Sequence, residues 1–304
     1  MKVAALDLGS NTFLLLVCEV EKGQITKVYQ DEIQVTKLGQ GVHANKKFHP
    51  EALLRAEQCL KEFAEIIKSE NPQRVLAMAT SAARDVSNGN ELFKIGEKYG
   101  IPIRIIPGQL EAKITFEGAT YDMPDKTGVA IIDVGGGSTE LIALNNEGFP
   151  QGVSVNVGSV RLTEMFVTDH PVKQTEVAQM LNYATQEFAK IKKELPKIKL
   201  KKSVGVAGTP TTLAAVIQEI PYSDNSVHGY EITNDEILNW LNKMAAMGLN
   251  ERKLLPGMDP LRADVMVAGM CILFCANQIL GQKSLFVSTR GVRNGVALFA
   301  AQEG

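Results

Sequence analysis

A motif that occurs twice in the chain constrains its fold more than any other feature. In the second copy, Val129–Ile132 forms a continuous apolar run, Asp133 ends it, and Gly135-Gly136-Gly137 precede the apolar segment Leu141–Leu144. A continuous apolar run predicts a strand buried on both faces. The glycines allow a sharp turn and bring backbone N–H groups close to a ligand. No helix is predicted directly behind the glycines, which argues against a P-loop and against a dinucleotide-binding motif.

The first copy lies at the start of the sequence. Val3–Leu6 leads to Asp7, the small-residue segment Gly9-Ser10-Asn11-Thr12 follows, and Phe13–Val17 is again apolar. The two aspartates are 133 − 7 = 126 residues apart. We interpret this repeat as an internal duplication. Two such turns facing each other would form a two-sided clamp for a phosphate chain.

Length and charge exclude several classes of protein. A chain of 304 residues is long enough for two domains with ordinary cores. A hydrophobic content of 45% and a charged content of 22% are typical of a globular protein. The net charge of −2 argues against a general binder of nucleic acid or of a membrane surface. An anionic ligand would therefore need local partners, such as backbone amides, a few basic side chains or a metal ion.

The spacing of the cysteines and the N-terminal segment favour a cytoplasmic protein. The cysteines show no metal-binding spacing, and we expect buried, reduced thiols at Cys18, Cys59, Cys271 and Cys275. Met1-Lys2 leads directly into a strand that carries Asp7, which is unlike a signal peptide. The apolar segment Val265–Leu280 is interrupted by Asn277 and is short for a membrane span, so we interpret it as a buried helix.

The remaining pattern alternates strands and helices, which predicts an α/β fold. A helix is expected to begin at Pro50 and to stop before Asn71, followed by a strand over Arg74–Ala79. The polar segment Tyr121–Lys126 is a plausible hinge before the second copy. Further helices are predicted near residues 90–99, from 109, and over 160–166, 175–195, 211–218, 235–244, 259–280 and 291–301, with strands at 103–106, 152–157, 204–209 and 285–288.

A set of motifs in one order along the whole chain resembles the exopolyphosphatase/guanosine pentaphosphate phosphatase (Ppx/GppA) family. This family belongs to the actin, Hsp70 and sugar kinase superfamily. The second glycine turn alone indicates only the superfamily, whereas its combination with the segments around Arg84 and Glu111 is specific. The motifs that carry the resemblance are Asp7–Thr12, Ala79–Arg84, Gly108–Ala112, Asp133–Leu141, Gly208-Thr209 and Val287–Gly295.

The resemblance implies an α/β fold of two duplicated actin/Hsp70/sugar-kinase-like (ribonuclease H-like) domains with an inter-domain cleft lined by the two turns. The expected domains are 1–122 and 123–290, with a terminal helix over 291–304 that packs back on the first domain. The chain corresponds to the short two-domain form of the family, whose longer members append further helical domains.

The resemblance also implies hydrolysis of a terminal phosphoanhydride in inorganic polyphosphate or in guanosine pentaphosphate (pppGpp), the latter a stringent-response activity. Glu111 lies in the first turn of a predicted helix. Its position alone fits either a carboxylate that favours the helix N-terminus or a general base. In the family this glutamate is the catalytic base, and Arg84 is expected to stabilise charge on the transferred phosphate. Lys113 stands where the family usually has arginine, which weakens any bidentate phosphate role there.

The other candidate site residues divide into a metal set and a phosphate set. Each of Asp7 and Asp133 ends a buried strand, and an unpaired buried carboxylate is costly, so a magnesium role is favoured over a simple turn cap. The expected Mg²⁺ ligands are Asp133, Glu140 and Asp7. The expected phosphate-binding residues are Ser10, Asn11, Thr12, Gly136, Gly137, Ser138, Thr139, Gly208, Thr209 and Arg293.

Several alternatives stay open at this point. The run from Lys190 to Lys202 holds seven lysines and one glutamate, and it fits a solvated surface or a track for a polyanion. His228 fits a structural role or a place near the ligand. A phosphotransferase of the same superfamily and a non-catalytic nucleotide binder are the competing functions. We expect no nucleic-acid partner and no membrane partner, and a homodimer is left undecided.

Overall fold

The computed structural model describes residues 1–79, 83, 86–196 and 198–302. The chain divides into two compact units. Unit 1 comprises Met1–Pro124 and Arg290–Gly304, and unit 2 comprises Asp125–Thr289. Each unit has its own sheet and its own apolar core, and each is described by itself.

The strands and helices follow one another in the order expected of an α/β fold. Unit 1 begins with β1 (Lys2–Leu8), β2 (Thr12–Glu21), β3 (Gln24–Val35), α1 (Val42–Asn45), α2 (Pro50–Glu70), β4 (Arg74–Ala79), α3 (Asn90–Lys98), β5 (Ile103–Ile105) and α4 (Gly108–Thr120). Unit 2 contains β6 (Val129–Val134), β7 (Thr139–Leu144), β8 (Pro150–Val155), α5 (Ser159–Phe166), α6 (Gln174–Ile191), β9 (Lys202–Val206), α7 (Gly208–Gln218), α8 (Asp224–Val227), β10 (Glu231–Thr233), α9 (Asn234–Ala246), α10 (Leu249–Lys253), α11 (Met266–Ile279) and β11 (Ser284–Val287). The chain then returns to unit 1 with α12 (Val292–Gln302).

The two sheets share one topology, which confirms the predicted duplication and the predicted fold class. Among the described residues, the sheet of unit 1 has the order β3-β2-β1-β4-β5, and that of unit 2 has the order β10-β11-β9-β6-β7-β8. In both, the first three strands of the unit form an antiparallel meander, and the first strand also pairs in parallel with a later strand. The order β3-β2-β1-β4-β5 thus corresponds to β8-β7-β6-β9-β11, with β10 added at the edge.

Unit 1 buries both faces of its sheet, as the alternation along β1 shows. Ala4 and Leu6 contribute to a core that includes residues of α2 and α3, whereas Val3 and Ala5 contribute to a second core with α4 and α12. Because side chains of a strand alternate between faces, an apolar residue at every position of β1 requires helices on both sides. The terminal helix α12 is therefore an integral part of unit 1.

Unit 2 has an extensive core built around α11. Almost every residue of Met266–Ile279 is buried, which confirms the predicted buried helix, although it begins at Met266 rather than near Asp259. In the described parts of the chain, no helix is both long and apolar enough to cross a membrane. The cysteines are free and buried, and burial raises the pKa of the Cys59 thiol to about 12.

Candidate active site

The glycine turn of unit 2 joins β6 to β7 and is bonded to the start of α5. The turn is closed by the Gly135 N–H, which donates to the carbonyl of Ser138 at 3.0 Å. Each carbonyl of the three glycines accepts a hydrogen bond from α5: Ser159 N to Gly135 O (2.9 Å), Val160 N to Gly136 O (3.0 Å) and Arg161 Nε to Gly137 O (2.8 Å). One side of the turn is thus fully occupied by protein.

The opposite side of this turn presents backbone N–H groups. In a planar trans peptide the N–H points away from the preceding C=O. The N–H groups of Gly136, Gly137 and Ser138 therefore face away from α5. In the described part of the chain, no backbone acceptor outside the regular ladders is bonded to them. Successive outward N–H groups of this kind form an anion-binding concavity.

The close approach of α5 to the turn depends on Gly158. A Cβ at this position would lie 2.3 Å from the carbonyl oxygen of Gly136 and 2.4 Å from the carbonyl carbon of Gly137. No larger residue fits without moving the turn or the helix. Glycine at position 158 therefore determines how the turn is held.

Two buried carboxylates lie beside this turn on adjacent strands. Asp133 of β6 and Glu140 of β7 are direct cross-strand partners, and their exposed fractions are 9% and 8%. Like charges at directly opposite positions destabilise a sheet. One oxygen of Glu140 accepts hydrogen bonds from Ser138 Oγ at 2.8 Å and from Ser154 Oγ at 2.7 Å. The two hydroxyl donors compensate part of the burial, and a cation would compensate the repulsion.

This pair fits the ligand chemistry of magnesium. Among the described residues there is no group of three or more histidine, cysteine, aspartate or glutamate side chains that could hold a metal ion. Magnesium does not need one, because it keeps several waters and takes one or two carboxylates together with substrate phosphates. Asp133 and Glu140 provide that number of carboxylates.

The segment between β9 and α7 is strained. Ala207 has φ 69° and ψ −168°, a region that is essentially restricted to glycine and costs about 1–3 kcal/mol for other residues. The Thr211 hydroxyl donates to the Ala207 carbonyl at 2.9 Å, which helps to hold this conformation. Strain of this kind is concentrated at functional sites. The strained residue directly precedes Gly208 and Thr209, two of the predicted phosphate-binding residues.

A guanidinium group lies against Gly208. A Cβ on Gly208 would be 1.2 Å from Nη1 of Arg262, so this contact is possible only with glycine. Arg262 Nε also donates to Asp259 at 3.2 Å, and the arginine side chain is 12% exposed. Arg262 therefore adds a positive charge at the start of α7.

The turn of unit 1 repeats the construction seen in unit 2. The Gly9 N–H donates to the Thr12 carbonyl at 3.1 Å, which is the same closing bond. Its carbonyl groups are also bonded by the segment that follows the third strand: Gly39 N to Ser10 O (2.6 Å) and Lys37 N to Asn11 O (2.9 Å). Asn11 Oδ1 is buried and has no hydrogen-bond partner among the described residues. Asp7 corresponds to Asp133, but its cross-strand partner is Leu14.

Glu111 lies in the first turn of α4 and is 6% exposed. A carboxylate at this position is favoured by the N-terminal end of the helix dipole. The helix itself is fixed by a close contact with α12, in which Gly118 and Gly295 face each other. A Cβ on Gly295 would lie 1.9 Å from the carbonyl oxygen of Ile114. The packing of the two helices thus determines where Glu111 sits in unit 1.

Other predicted residues have structural contacts. Arg293 donates to Asp31 at 2.9 Å, and Thr139 is fully buried with its hydroxyl donated to the Val157 carbonyl at 2.6 Å. His228 Nδ1 accepts the backbone N–H of Thr289 at 3.3 Å. Their roles as ligands stay predictions.

Arg84 lies outside the described residues, and so does Lys197 of the lysine run.

The lysine run lies at the far end of the sheet of unit 2 from the glycine turn. Lys202 pairs with Val129 at the start of the strands, whereas Asp133 pairs with Val206 at their ends. These two pairs are four residues apart along the strands, which corresponds to a distance of about 13 Å. Lys201 pairs with Asp125 at 3.3 Å and Lys190 with Glu187 at 2.6 Å. These contacts favour the solvated-surface interpretation of the run.

Three residues that make these contacts could not be identified from the sequence. Ser154 is recognisable only once the β7–β8 register places it opposite Glu140. Arg161 and Arg262 act through contacts with the backbone of distant glycines, and no local pattern reports such contacts. The only signal in the sequence is the presence of glycine at positions 137 and 208.

The whole chain is similar to known phosphatases. The Ppx/GppA phosphatase family matches residues 16–302. Exopolyphosphatase 2 of Mycobacterium tuberculosis is 30% identical, over 99% of this chain and 98% of its own length. A bifunctional 3-dehydroquinate synthase/phosphatase of Fusobacterium nucleatum is 33% identical over 94% of this chain, which spans only 44% of that protein.

Solved structures agree with these sequence relatives. A Ppx/GppA family member from Aquifex aeolicus superposes with a TM-score of 0.81 at 28% identity, covering 100% of this chain and 98% of that one. An exopolyphosphatase from Cytophaga hutchinsonii has a TM-score of 0.89 at 26% identity, with coverage of 100% and 98%.

Proposed function

Because the chain belongs to the Ppx/GppA phosphatase family, we propose that it hydrolyses the terminal phosphoanhydride of inorganic polyphosphate, of guanosine pentaphosphate, or of both. The observation that carries the proposal is the glycine turn of unit 2. The carbonyl groups of its three glycines are bonded to α5, and the N–H groups of Gly136, Gly137 and Ser138 face the other side, with the carboxylates of Asp133 and Glu140 beside the turn. Outward amides bind phosphate oxygens. The name of the Mycobacterium relative supports polyphosphate as a substrate.

In the proposed mechanism, Glu111 accepts the proton of the attacking water while the turn amides hold the terminal phosphate. Phosphoryl transfer needs positioning and charge stabilisation more than a strong base, so a carboxylate is sufficient. Asp133 and Glu140 are the residues that would hold Mg²⁺, with Asp7 as the further candidate. When bound, the ion would neutralise negative charge on the phosphate oxygens. Arg84 is the proposed additional cation at the transferred group.

The first experiment measures phosphate release in the presence of Mg²⁺ from guanosine pentaphosphate and from polyphosphates of several lengths. Release from polymer that increases with chain length would identify an exopolyphosphatase and would give the lysine run a binding role. Release from the nucleotide with little from long polymer would identify a guanosine pentaphosphate phosphatase. Transfer of phosphate to added ADP would instead support the phosphotransferase alternative, and no release from any substrate would contradict the proposal.

The same assay tests the role of Glu111. The variant Glu111→Gln keeps the shape of the side chain but cannot accept a proton, so turnover should fall by about 100-fold or more. Glu117→Gln is the matched control, because Glu117 lies on the same helix and pairs with the exposed Lys113 at 3.9 Å. A folded Glu111→Gln protein with the activity of the control would contradict the assignment of the base.

A further inference from the structure

Two side chains of α5 donate hydrogen bonds to glycine carbonyls of the turn: Ser159 Oγ to Gly135 at 3.2 Å and Arg161 Nε to Gly137 at 2.8 Å. The carbonyls of Gly135 and Gly136 accept backbone N–H groups of the helix, at 2.9 and 3.0 Å. The carbonyl of Gly137 accepts Nε of Arg161 at 2.8 Å. The last peptide of the turn is therefore held by a side chain that a substitution can remove.

The duplicated turn of unit 1 shows that this bond recurs with a different donor. Gly137 corresponds to Asn11, because 137 − 11 = 126 is the offset of the repeat. In unit 1 the carbonyl of Asn11 accepts the backbone N–H of Lys37 at 2.9 Å. Both turns thus have this carbonyl bonded, once by backbone and once by the arginine. The recurrence indicates that the orientation of this peptide matters in both copies.

The orientation of the Gly137–Ser138 peptide decides where its N–H points. The carbonyl of Gly137 and the N–H of Ser138 belong to one planar unit and point in opposite directions. Glycine has the greatest backbone freedom of all residues, so this peptide would rotate readily without an anchor. A hydrogen bond from a guanidinium is charge-assisted and stronger than a neutral one. Arg161 therefore fixes the direction of the Ser138 N–H.

We propose that Arg161 is a positioning residue for phosphate binding: it holds the Gly137–Ser138 peptide so that the Ser138 N–H faces the terminal phosphate of the substrate. This inference rests on the proposed function, and it assigns Arg161 no contact with the substrate itself. Its effect is carried by the backbone of the turn. Losing it should affect the binding of the phosphate and the stabilisation of the transition state more than the stability of the fold.

The test compares Arg161→Ala and Arg161→Lys with the control Arg74→Ala. Arg74 also donates to a backbone carbonyl, that of Ala300 at 3.1 Å, but it does so at the start of β4 in unit 1. We expect kcat/KM of Arg161→Ala to fall by about 10- to 100-fold, as when one transition-state donor is misplaced. The lysine variant and added guanidinium, below denaturing concentrations, should each restore part of the loss. The same kcat/KM in Arg161→Ala and in the control would overturn the inference, and so would the absence of rescue by guanidinium.

A second readout separates this inference from the proposed function. Amide NMR signals of Gly136, Gly137 and Ser138 are followed while inorganic phosphate is added. The wild-type signals should shift, and the Ser138 signal of Arg161→Ala should shift less at the same phosphate concentration. If the wild type responds and Arg161→Ala responds equally, the positioning role fails while the proposed function stands. If the wild type neither responds nor releases phosphate from any substrate, the proposed function itself fails.

Discussion

At the scale of single residues, the contact between Arg252 and His170 shows how burial fixes a protonation state in unit 2. Arg252 is fully buried, its Nη1 donates to the Ala263 carbonyl at 3.0 Å, and its Nη2 lies 2.5 Å from His170 Nδ1. A guanidinium group can only donate, so Nδ1 must accept and the imidazole is neutral. Burial lowers the pKa of His170, and the charge of Arg252 lowers it further against the opposing effect of Asp264, Asp169 and Glu176.

This contact predicts a loss of stability in mild acid. A histidine has an ordinary pKa of about 6.5. Because the folded-state pKa of His170 lies below it, the unfolded state binds more protons as the pH falls, and the folded state loses stability there. We expect the midpoint of thermal unfolding to decrease between about pH 7 and about pH 5 in the wild type, and to decrease less in His170→Asn. His43→Asn, at an exposed position, is the control.

The test compares the pH dependence of the unfolding midpoint in His170→Asn with that in His43→Asn. An asparagine at position 170 keeps an acceptor for Arg252 but does not titrate, so it removes only the pH-dependent part of the interaction. Equal pH dependence in the wild type, in His170→Asn and in His43→Asn would show that the Arg252 contact does not control the acid response.

Residue types and local spacing reveal some site residues but not others. Asp133 was predicted as a site residue because it ends an apolar run before consecutive glycines, whereas the prediction of Glu111 rests on the family resemblance, since its position alone also fits a carboxylate at a helix N-terminus. Ser154 could not be predicted, since its hydrogen bond to Glu140 depends on a strand register. Arg161 could not either, because an isolated arginine at the start of a helix is usually solvated.

At the scale of elements, α4 and α12 pack through glycines so closely that their backbones touch. A Cβ on Gly118 would lie 2.2 Å from the carbonyl oxygen of Gly291 and 2.3 Å from the backbone nitrogen of Gly295. Such a contact tolerates no added methyl group without a shift of one helix against the other. Since Glu111 lies in the first turn of α4, a shift of this helix would move the proposed base.

We therefore expect Gly295→Ala to be destabilising and to reduce activity. The added methyl group would meet the Ile114 carbonyl, and overpacking of this kind costs about 1–3 kcal/mol. Gly108→Ala, on the partner helix α4, is the control, because its Cβ would meet nothing within 4 Å. That variant should be neutral or more stable by up to about 1 kcal/mol. Urea unfolding and phosphate release are measured for both variants, and equal stabilities would contradict the prediction.

Helix boundaries were predictable where capping signals are local. The predicted start of α2 at Pro50 and its end before Asn71 are confirmed, since proline occupies the first helical position and Asn71 adopts φ 45° at the C-terminal end. The start of α7 was predicted three residues too late, because Gly208-Thr209-Pro210 has the composition of a turn. Its glycine instead leaves room for the Arg262 guanidinium. The strand β10 was missed because three residues give too little periodicity.

At the scale of the whole molecule, the two copies share their strand order and turn structure but differ in the residues beside the turn. Both halves have the same strand order, the same closing hydrogen bond in the turn and an aspartate at the end of the first strand. They differ at the residue opposite that aspartate, which is Leu14 in unit 1 and Glu140 in unit 2. The sequence offset predicted the shared fold, and the strand registers reveal which copy has two facing carboxylates.

This asymmetry predicts unequal effects of matched substitutions on the response to magnesium. Asp133→Asn should raise the Mg²⁺ concentration required for half-maximal phosphate release by about tenfold or more, and Asp7→Asn should raise it less. Equal Mg²⁺ dependence of the two variants, measured in one assay, would contradict the prediction.

The helix α12 also determines the order in which the units can fold during synthesis. Unit 2 is one continuous segment, whereas one sheet face of unit 1 lacks the part of its cover that α12 supplies until residues 292–302 have left the ribosome. Domains usually fold as they emerge, with the N-terminal one first. Here the first unit to be synthesised is the last to be completed. Val3, Ala5 and Leu16 of its sheet stay uncovered by α12 while all of unit 2 is translated.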